Sequence, residues 1–207
     1  MRSERLLRGM HRVLSHDLPN QIVAVQGLLQ LLSLEEASRL TSTGLEYVQR
    51  LHHAAGRAAE MVRFLKEMER LQAYVARRES VSLDTFAREL QGELQRRYPK
   101  IEFEFAWQWN VPAVVGDSRV CLAALQELFI DQLDAAAVRC QISGDSRRRS
   151  DKIELAFSLT PALPAASVEP RMGTVLAGEW LGLLGATVEF APPESGSSRF
   201  ALLLPSR

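Results

Sequence analysis

The sequence predicts an α+β chain in which a long N-terminal helical hairpin precedes a mixed helix-and-strand domain, with the boundary near Arg77. Three observations carry this expectation. From Leu6 to Leu32 the apolar residues Leu7, Met10, Leu14, Leu18, Ile22, Val25, Leu29 and Leu32 recur at the three-and-four spacing of one helix face. A second stripe runs from Leu40 through Tyr47, Leu51, Ala55, Ala58, Val62, Leu65 and Leu71 to Val75 and keeps the same period. Beyond Ser80 the pattern breaks into short alternating runs separated by capping and turn residues.

Composition bounds the function classes. The chain has 207 residues, 46% hydrophobic and 24% charged, with 25 basic residues against 25 acidic ones. That balance excludes the cationic surplus that phosphate-backbone binding demands, so no nucleic-acid partner is expected. The opening MRSERLLRGMHRVLSHD lacks the apolar run of a signal peptide, and no window reaches the about 18 apolar residues of a membrane helix. A soluble, cytoplasmic protein without a membrane partner is therefore expected. Cys121 and Cys140 offer neither a disulfide framework nor a metal spacing and are expected to be small buried hydrophobes.

Each element has a local reason. Ser33 is placed to cap the second helix, with Glu35 and Glu36 in its first turn. Two long helices joined by a short turn cannot cover both stripes, so pairing of two copies into a four-helix bundle, a homodimer, is expected for residues 1–77. In residues 78–207, ESVSL is a strand and Asp84 is the expected cap of the helix TFARELQGELQRRY. IEFEFAWQW alternates, with Phe103, Phe105, Trp107 and Trp109 on a core face. After PAVVGD a helix is predicted over 118–137, then strands VRCQIS and KIELAFSL about the polar turn GDSRRRSD. Its Arg147–Arg149 run is expected to be solvated. TPALPAASVEP leads to the helix GTVLAGEWLGLL, in which Trp180 is a core residue, and the strands ATVEFA and RFALLLP follow.

The candidate chemistry lies in Ser15-His16-Asp17-Leu18-Pro19-Asn20, a polar interruption of the first stripe. An imidazole nitrogen is a competent phosphoryl acceptor, and an adjacent carboxylate orients the ring and holds its proton. His16 and Asn20 share one helical face, so Asn20 can position a water or a partner's aspartyl phosphate, and Gln21 offers a slightly rotated alternative. Pro19 removes a backbone hydrogen bond and should bend the helix beside His16. His11, His52 and His53 have no ligand-spaced neighbours and are expected at the surface or the hairpin interface. Glu127 and Asp131 share a helix face and are expected to be solvated.

In these residues the chain resembles the catalytic core of bacterial sensor histidine kinases. SHDLPNQIVAVQGLLQLL is similar to their phospho-acceptor box, and VSLDTFAREL, PAVVGDSRVCLAALQELFIDQLDAA and GTVLAGEWLGLLGATVEFAPPESGSSRFALLLP follow the order of their ATP-binding α/β sandwich. The resemblance implies that Glu127–Asp131 stands where those kinases carry a magnesium-coordinating Asn motif. It also implies that Thr160-Pro161-Ala162-Leu163-Pro164 replaces their adenine box and that Arg171-Met172-Gly173-Thr174 is the residue of a glycine-rich phosphate loop. With acids for amides and one glycine for several, a degenerate ATPase domain is expected, with no cofactor of its own. The implied function is that of a dimeric histidine phosphotransferase in a two-component phosphorelay. His16 carries the phosphoryl group between response-regulator receiver domains, Asp17 orients the ring, and Asn20, or Gln21, supports transfer or hydrolysis. The regulator supplies its own magnesium, and an upstream hybrid histidine kinase is a possible source. The surface around His16 that includes Arg12 and Gln26 is the expected docking face. Two alternatives stand beside it: a non-catalytic pseudokinase scaffold for a regulator or kinase, and a sensorless active histidine kinase.

Overall fold

The computed structural model describes residues 13–36, 38–133, 137–162, 171–192 and 197–206. The start of the first stripe, with His11 and Arg12, lies outside them, as does most of TPALPAASVEP. The chain divides into two compact units, Met1–Ala73 and Tyr74–Arg207.

In the first unit a five-residue π-helical turn, Val13–Asp17, runs into helix α1, Leu18–Glu35, which packs against α2, Ser42–Ala73. Leu29, Val48, Val62 and Leu71 are buried there. Many apolar side chains are not: Val23, Leu28, Leu31 and Leu34 on α1, and Leu45, Tyr47, Leu51, Met61 and Leu65 on α2, stay exposed. Ser33 caps nothing. It sits inside α1, where its hydroxyl donates to the Leu29 carbonyl at 2.8 Å, the back-bond that lets a serine persist within a helix. His52 lies half-buried with Nε2 3.5 Å from that hydroxyl, while His53 is exposed. No helix among the described residues is long and apolar enough to cross a membrane.

The second unit is an α/β sandwich. Among the described residues its main sheet has the order β2-β4-β5-β7-β6, formed by Glu102–Trp109, Arg139–Arg149, Lys152–Thr160, Ser198–Pro205 and Thr187–Phe190. β2 pairs parallel to β4 and the other pairs are antiparallel. A two-stranded antiparallel ribbon joins β1, Glu79–Ser82, to β3, Ala113–Gly116. Helices α3, Leu83–Arg97, α4, Ser118–Gln132, and α5, Met172–Gly182, complete the unit. Ile142, Leu155, Phe157, Phe200, Leu202 and Leu204 are buried and fall at every second position of their strands, so one sheet face is apolar. It meets Phe86, Leu90, Leu125, Leu128, Phe129, Leu176 and Trp180 from the helices, all buried. The rings of Phe129, Phe157 and Phe200 form the centre, with centroids 5.7 to 6.5 Å apart.

Several local expectations change. The cap of α3 is Ser82, whose hydroxyl accepts from Thr85 N–H at 3.5 Å; Asp84 lies inside the first turn, where a carboxylate still favours the positive helix end. GDSRRRSD is not a loop. Strand β4 continues to Arg149, and the chain turns only at Ser150 and Asp151, with Ser150 in the left-handed region at φ 54°. The arginines hold that strand to the sheet: Arg147 meets the buried Glu154 at 2.6 Å, and Arg149 meets Glu154 at 3.4 Å and Glu189 at 3.1 Å. Gly144 is required opposite Trp107, because a Cβ there would lie 2.8 Å from the indole ring. Trp107 and Trp109 are half-buried rather than core, since β2 is an edge strand of the main sheet, whereas Trp180 is 1% exposed. α4 ends at Gln132, short of the predicted 137.

Candidate functional site: an exposed histidine in a widened helical turn

His16 occupies the π-helical turn immediately before α1. Pro19 explains the local geometry. Its ring would collide with a carbonyl one turn back and it has no N–H to donate, and the widened turn ahead of it places it at the second position of α1, where that N–H is not needed. The bend expected at Pro19 is thus taken up by a change of helix type. Widened turns of this kind concentrate at functional sites.

The side chains expected to act together do lie together. His16 is 72% exposed and Asp17 47%, and His16 Nδ1 stands 3.0 Å from Asp17 Oδ1. A carboxylate only accepts, so Nδ1 carries the proton and donates it to Asp17, and Nε2 keeps the lone pair. Asn20 Nδ2 lies 3.4 Å from both ring nitrogens, within reach of anything bound at Nε2. Gln21 is exposed beside them. One turn further along, Pro19, Ile22 and Val23 of α1 face Val62, Arg63 and Lys66 of α2 across a shallow groove with an apolar floor and a cationic rim. Gln26 lines it too, while Arg12 lies outside the described residues. Arg63 and Lys66 were not singled out in the sequence; their place opposite Pro19 depends on the hairpin's register, which no local pattern encodes.

In the second unit, Glu127 and Asp131 are buried, contrary to the solvated face expected for them. Asp131 reaches across to the start of α5. Its Oδ1 accepts from Gly173 N–H at 3.2 Å, and its Oδ2 accepts from Thr174 N–H at 2.6 Å and from the Thr174 hydroxyl at 2.9 Å. The Arg171 guanidinium donates to the Asp131 backbone carbonyl. Among the described residues no cluster of His, Cys, Asp and Glu side chains assembles a metal site. Cys121 and Cys140 are free thiols with low exposure; burial pushes the Cys121 thiol up to about 12, with the charge of Asp117 adding to the effect.

Asp117 is the other buried carboxylate that organises backbone. It caps α4 by accepting from Arg119 N–H at 3.0 Å and Val120 N–H at 3.4 Å, and it takes the Arg77 N–H at 2.9 Å and the Tyr74 hydroxyl at 3.0 Å. Tyr74 also meets Trp180 edge-on at 5.4 Å. Burial acts to raise the Asp117 carboxyl, but the donors from Arg77, Tyr74, Val120 and Arg119 outweigh it and hold the group below the usual carboxylate range. Burial, together with the bond to Asp117, pushes the Tyr74 phenol up. Because the folded carboxyl titrates below its unfolded value, the stability it contributes is present above about pH 4 and is lost as pH falls through the folded value. Acid titration of unfolding free energy should show this decline in the wild type and a shallower one in Asp117→Asn.

No protein-family model matches the chain, and no curated protein matches it. Solved structures do. Histidine kinase ThkA, crystallised in complex with response regulator protein TrrA, matches over 100% of this chain and 64% of its own, with a TM-score of 0.60 at 17% identity. Histidine kinase AdeS of Acinetobacter baumannii matches over 93% of this chain and 98% of its own, with a TM-score of 0.56 at 16% identity. The catalytic domain of ThkA alone covers 63% of this chain and 97% of its own, with a TM-score of 0.51 at 14% identity. At such identities the likeness shows the fold, which is that of histidine kinase cores, including their ATPase-like α/β domain.

Proposed function

We propose that the chain is a dimeric histidine phosphotransferase of two-component signalling, passing phosphoryl groups between receiver aspartates through His16 without using ATP. The observation that carries this reading is the exposed imidazole whose Nδ1 is committed to Asp17 and whose Nε2 keeps its lone pair beside the Asn20 amide. In the forward step the Nε2 lone pair attacks the phosphorus of a receiver's aspartyl phosphate. The N–P bond forms as the bond from phosphorus to the aspartate oxygen breaks, and the aspartate leaves as a carboxylate. Positive charge builds on the ring and is shared through Nδ1–H with Asp17, so the carboxylate stabilises what develops in the transition state. Reversal with a second receiver completes the relay. The receiver brings the aspartate and its magnesium; this chain contributes an oriented nucleophile.

Docking is assigned to the groove beside His16, whose apolar floor and Arg63 and Lys66 rim suit an amphipathic element of a receiver carrying acidic residues. That ThkA was crystallised with a response regulator supports a partner of this class. The exposed Leu28, Leu31, Leu45, Leu51, Met61 and Leu65 support burial of the hairpin against a second copy, which forms the four-helix bundle.

The test is to charge purified receiver domains with labelled acetyl phosphate, add the protein, and follow the label. Base-stable, acid-labile label that maps to His16 supports the proposal, and a panel of receivers that leaves the chain unlabelled while binding it supports a scaffold instead. Asp17→Asn should slow the transfer about a hundredfold, the scale on which an oriented proton partner acts, and should leave the melting temperature unchanged because both groups are exposed. Stopped-flow loss of receiver phosphate reads the first quantity and calorimetry the second.

A further inference from the structure

The two stretches that the resemblance sets against magnesium-coordinating and phosphate-covering segments are the end of α4 and residues 171–174. In this chain they close on each other. The donors that an anion at the start of α5 would use, Gly173 N–H, Thr174 N–H and the Thr174 hydroxyl, all point to the Asp131 carboxylate. There is no spare room. A single Cβ at Gly173 would overlap the Glu127 carbonyl and lie 2.6 Å from Asp131 Oδ1, so the helix start is in contact with α4 itself. These residues do not fit a nucleotide phosphate, which would meet a carboxylate in its seat and find its hydrogen bonds taken.

We propose that the Asp131 carboxylate is a built-in anion that takes the place of a nucleotide phosphate at the start of α5 and holds the α/β unit closed without ligand. The proposal deepens the ATP-independent reading and rests on it for its meaning, but its test does not pass through His16. A helix of 11 residues presents unpaired N–H groups and a positive end at its start, and a carboxylate satisfies both as a phosphate does. Supplied from 42 positions earlier in the chain, the anion is at fixed effective concentration, so closure needs nothing from solution. Arg171, bonded to the Asp131 carbonyl, and Gly173, which alone allows the close approach, belong to the same device.

The experiment uses the full chain, as wild type, Asp131→Ala and Asp131→Asn, melted in sodium chloride, sodium acetate and sodium phosphate at matched ionic strength. Asp131→Ala should melt roughly 5–10 °C below wild type in chloride, and acetate or phosphate should recover part of the loss without an equal rise in the wild type. Asp131→Asn should fall between them, because an amide presents one acceptor where the carboxylate presents two. An unchanged melting point in Asp131→Ala, or a loss that neither anion recovers, overturns the proposal. Should Asp131→Ala fail to fold, hydrogen exchange of the wild type decides. Gly173 and Thr174 amides slowed about a hundredfold without nucleotide, and no further by magnesium with a non-hydrolysable ATP analogue, support it. Amides that exchange freely until the analogue is added overturn it and leave receiver-to-His16 transfer standing. Failure of that transfer, with these amides protected, would remove the relay reading and leave this one in place.

Discussion

His16→Ala should lose all capture of phosphoryl groups from receivers, with label on the chain falling below detection, while receiver binding and folding are retained. The magnitude follows from the role. In the proposed transfer the nitrogen is the atom that forms the N–P bond, and neither neighbouring side chain can replace it: Asn20 offers an amide and Asp17 a carboxylate. The absence of a stability effect follows from exposure. At 72% exposed, with its polar contacts to Asp17 and Asn20 lying at the surface, the imidazole contributes within about 0.5 kcal/mol to folding. The groove that would seat the receiver is lined by other residues, so an interferometric binding constant should be nearly unchanged. Loss of binding together with transfer would mean that His16 is a docking contact, and the chemistry would need another carrier.

Asp117→Ala should destabilise the α/β unit by about 3 kcal/mol or more. The side chain is 3% exposed and accepts from four separate donors on three stretches of chain, at Tyr74, Arg77 and the first turn of α4. Loss of a helix cap alone costs about 1 kcal/mol. Each buried donor left without a partner adds about 1–3 kcal/mol, reduced where water enters. For a unit of this size the sum corresponds to a fall of roughly 10 °C in melting temperature, and differential scanning calorimetry measures it directly. Tyr74→Phe removes one donor and should cost less than half as much. Equal melting points for Asp117→Ala and the wild type would mean that water replaces the carboxylate, and the acid dependence assigned to Asp117 would have to originate elsewhere.

The parts of the fold that the sequence foretold are those with a local period. The hairpin stripes, the alternation of β2 and the apolar run of α5 declare themselves because each side chain's environment repeats every 3.6 or 2 residues. Local chemistry misled where two uses of a residue look alike. Ser33 followed by Glu35 and Glu36 has the composition of a cap, yet its hydroxyl bonds backward to Leu29. GDSRRRSD has the composition of a turn, yet Glu154 and Glu189 hold its arginines across the sheet. The first outcome turns on a carbonyl one helical turn back, and the second on carboxylates of neighbouring strands, Glu189 being 40 residues away.

The candidate site divides in the same way. His16, Asp17 and Asn20 fall within one and a half helical turns, so their proximity follows from spacing alone. The widened turn beneath them was foreshadowed only by Pro19. The burial of Asp131 could not be read at all, because its donors arrive from Gly173 and Thr174. Only the fold shows what the Asp131 carboxylate binds.

The most direct measurement of the central claim is a paired labelling time course on the purified chain. One arm receives a labelled phospho-receiver, the other labelled ATP with magnesium and no receiver. The account predicts phosphohistidine at His16 in the first arm within the time the receiver loses its label, and none in the second at any time. Label acquired from ATP alone would contradict it, and would make this chain a kinase whose nucleotide lies somewhere other than at the start of α5.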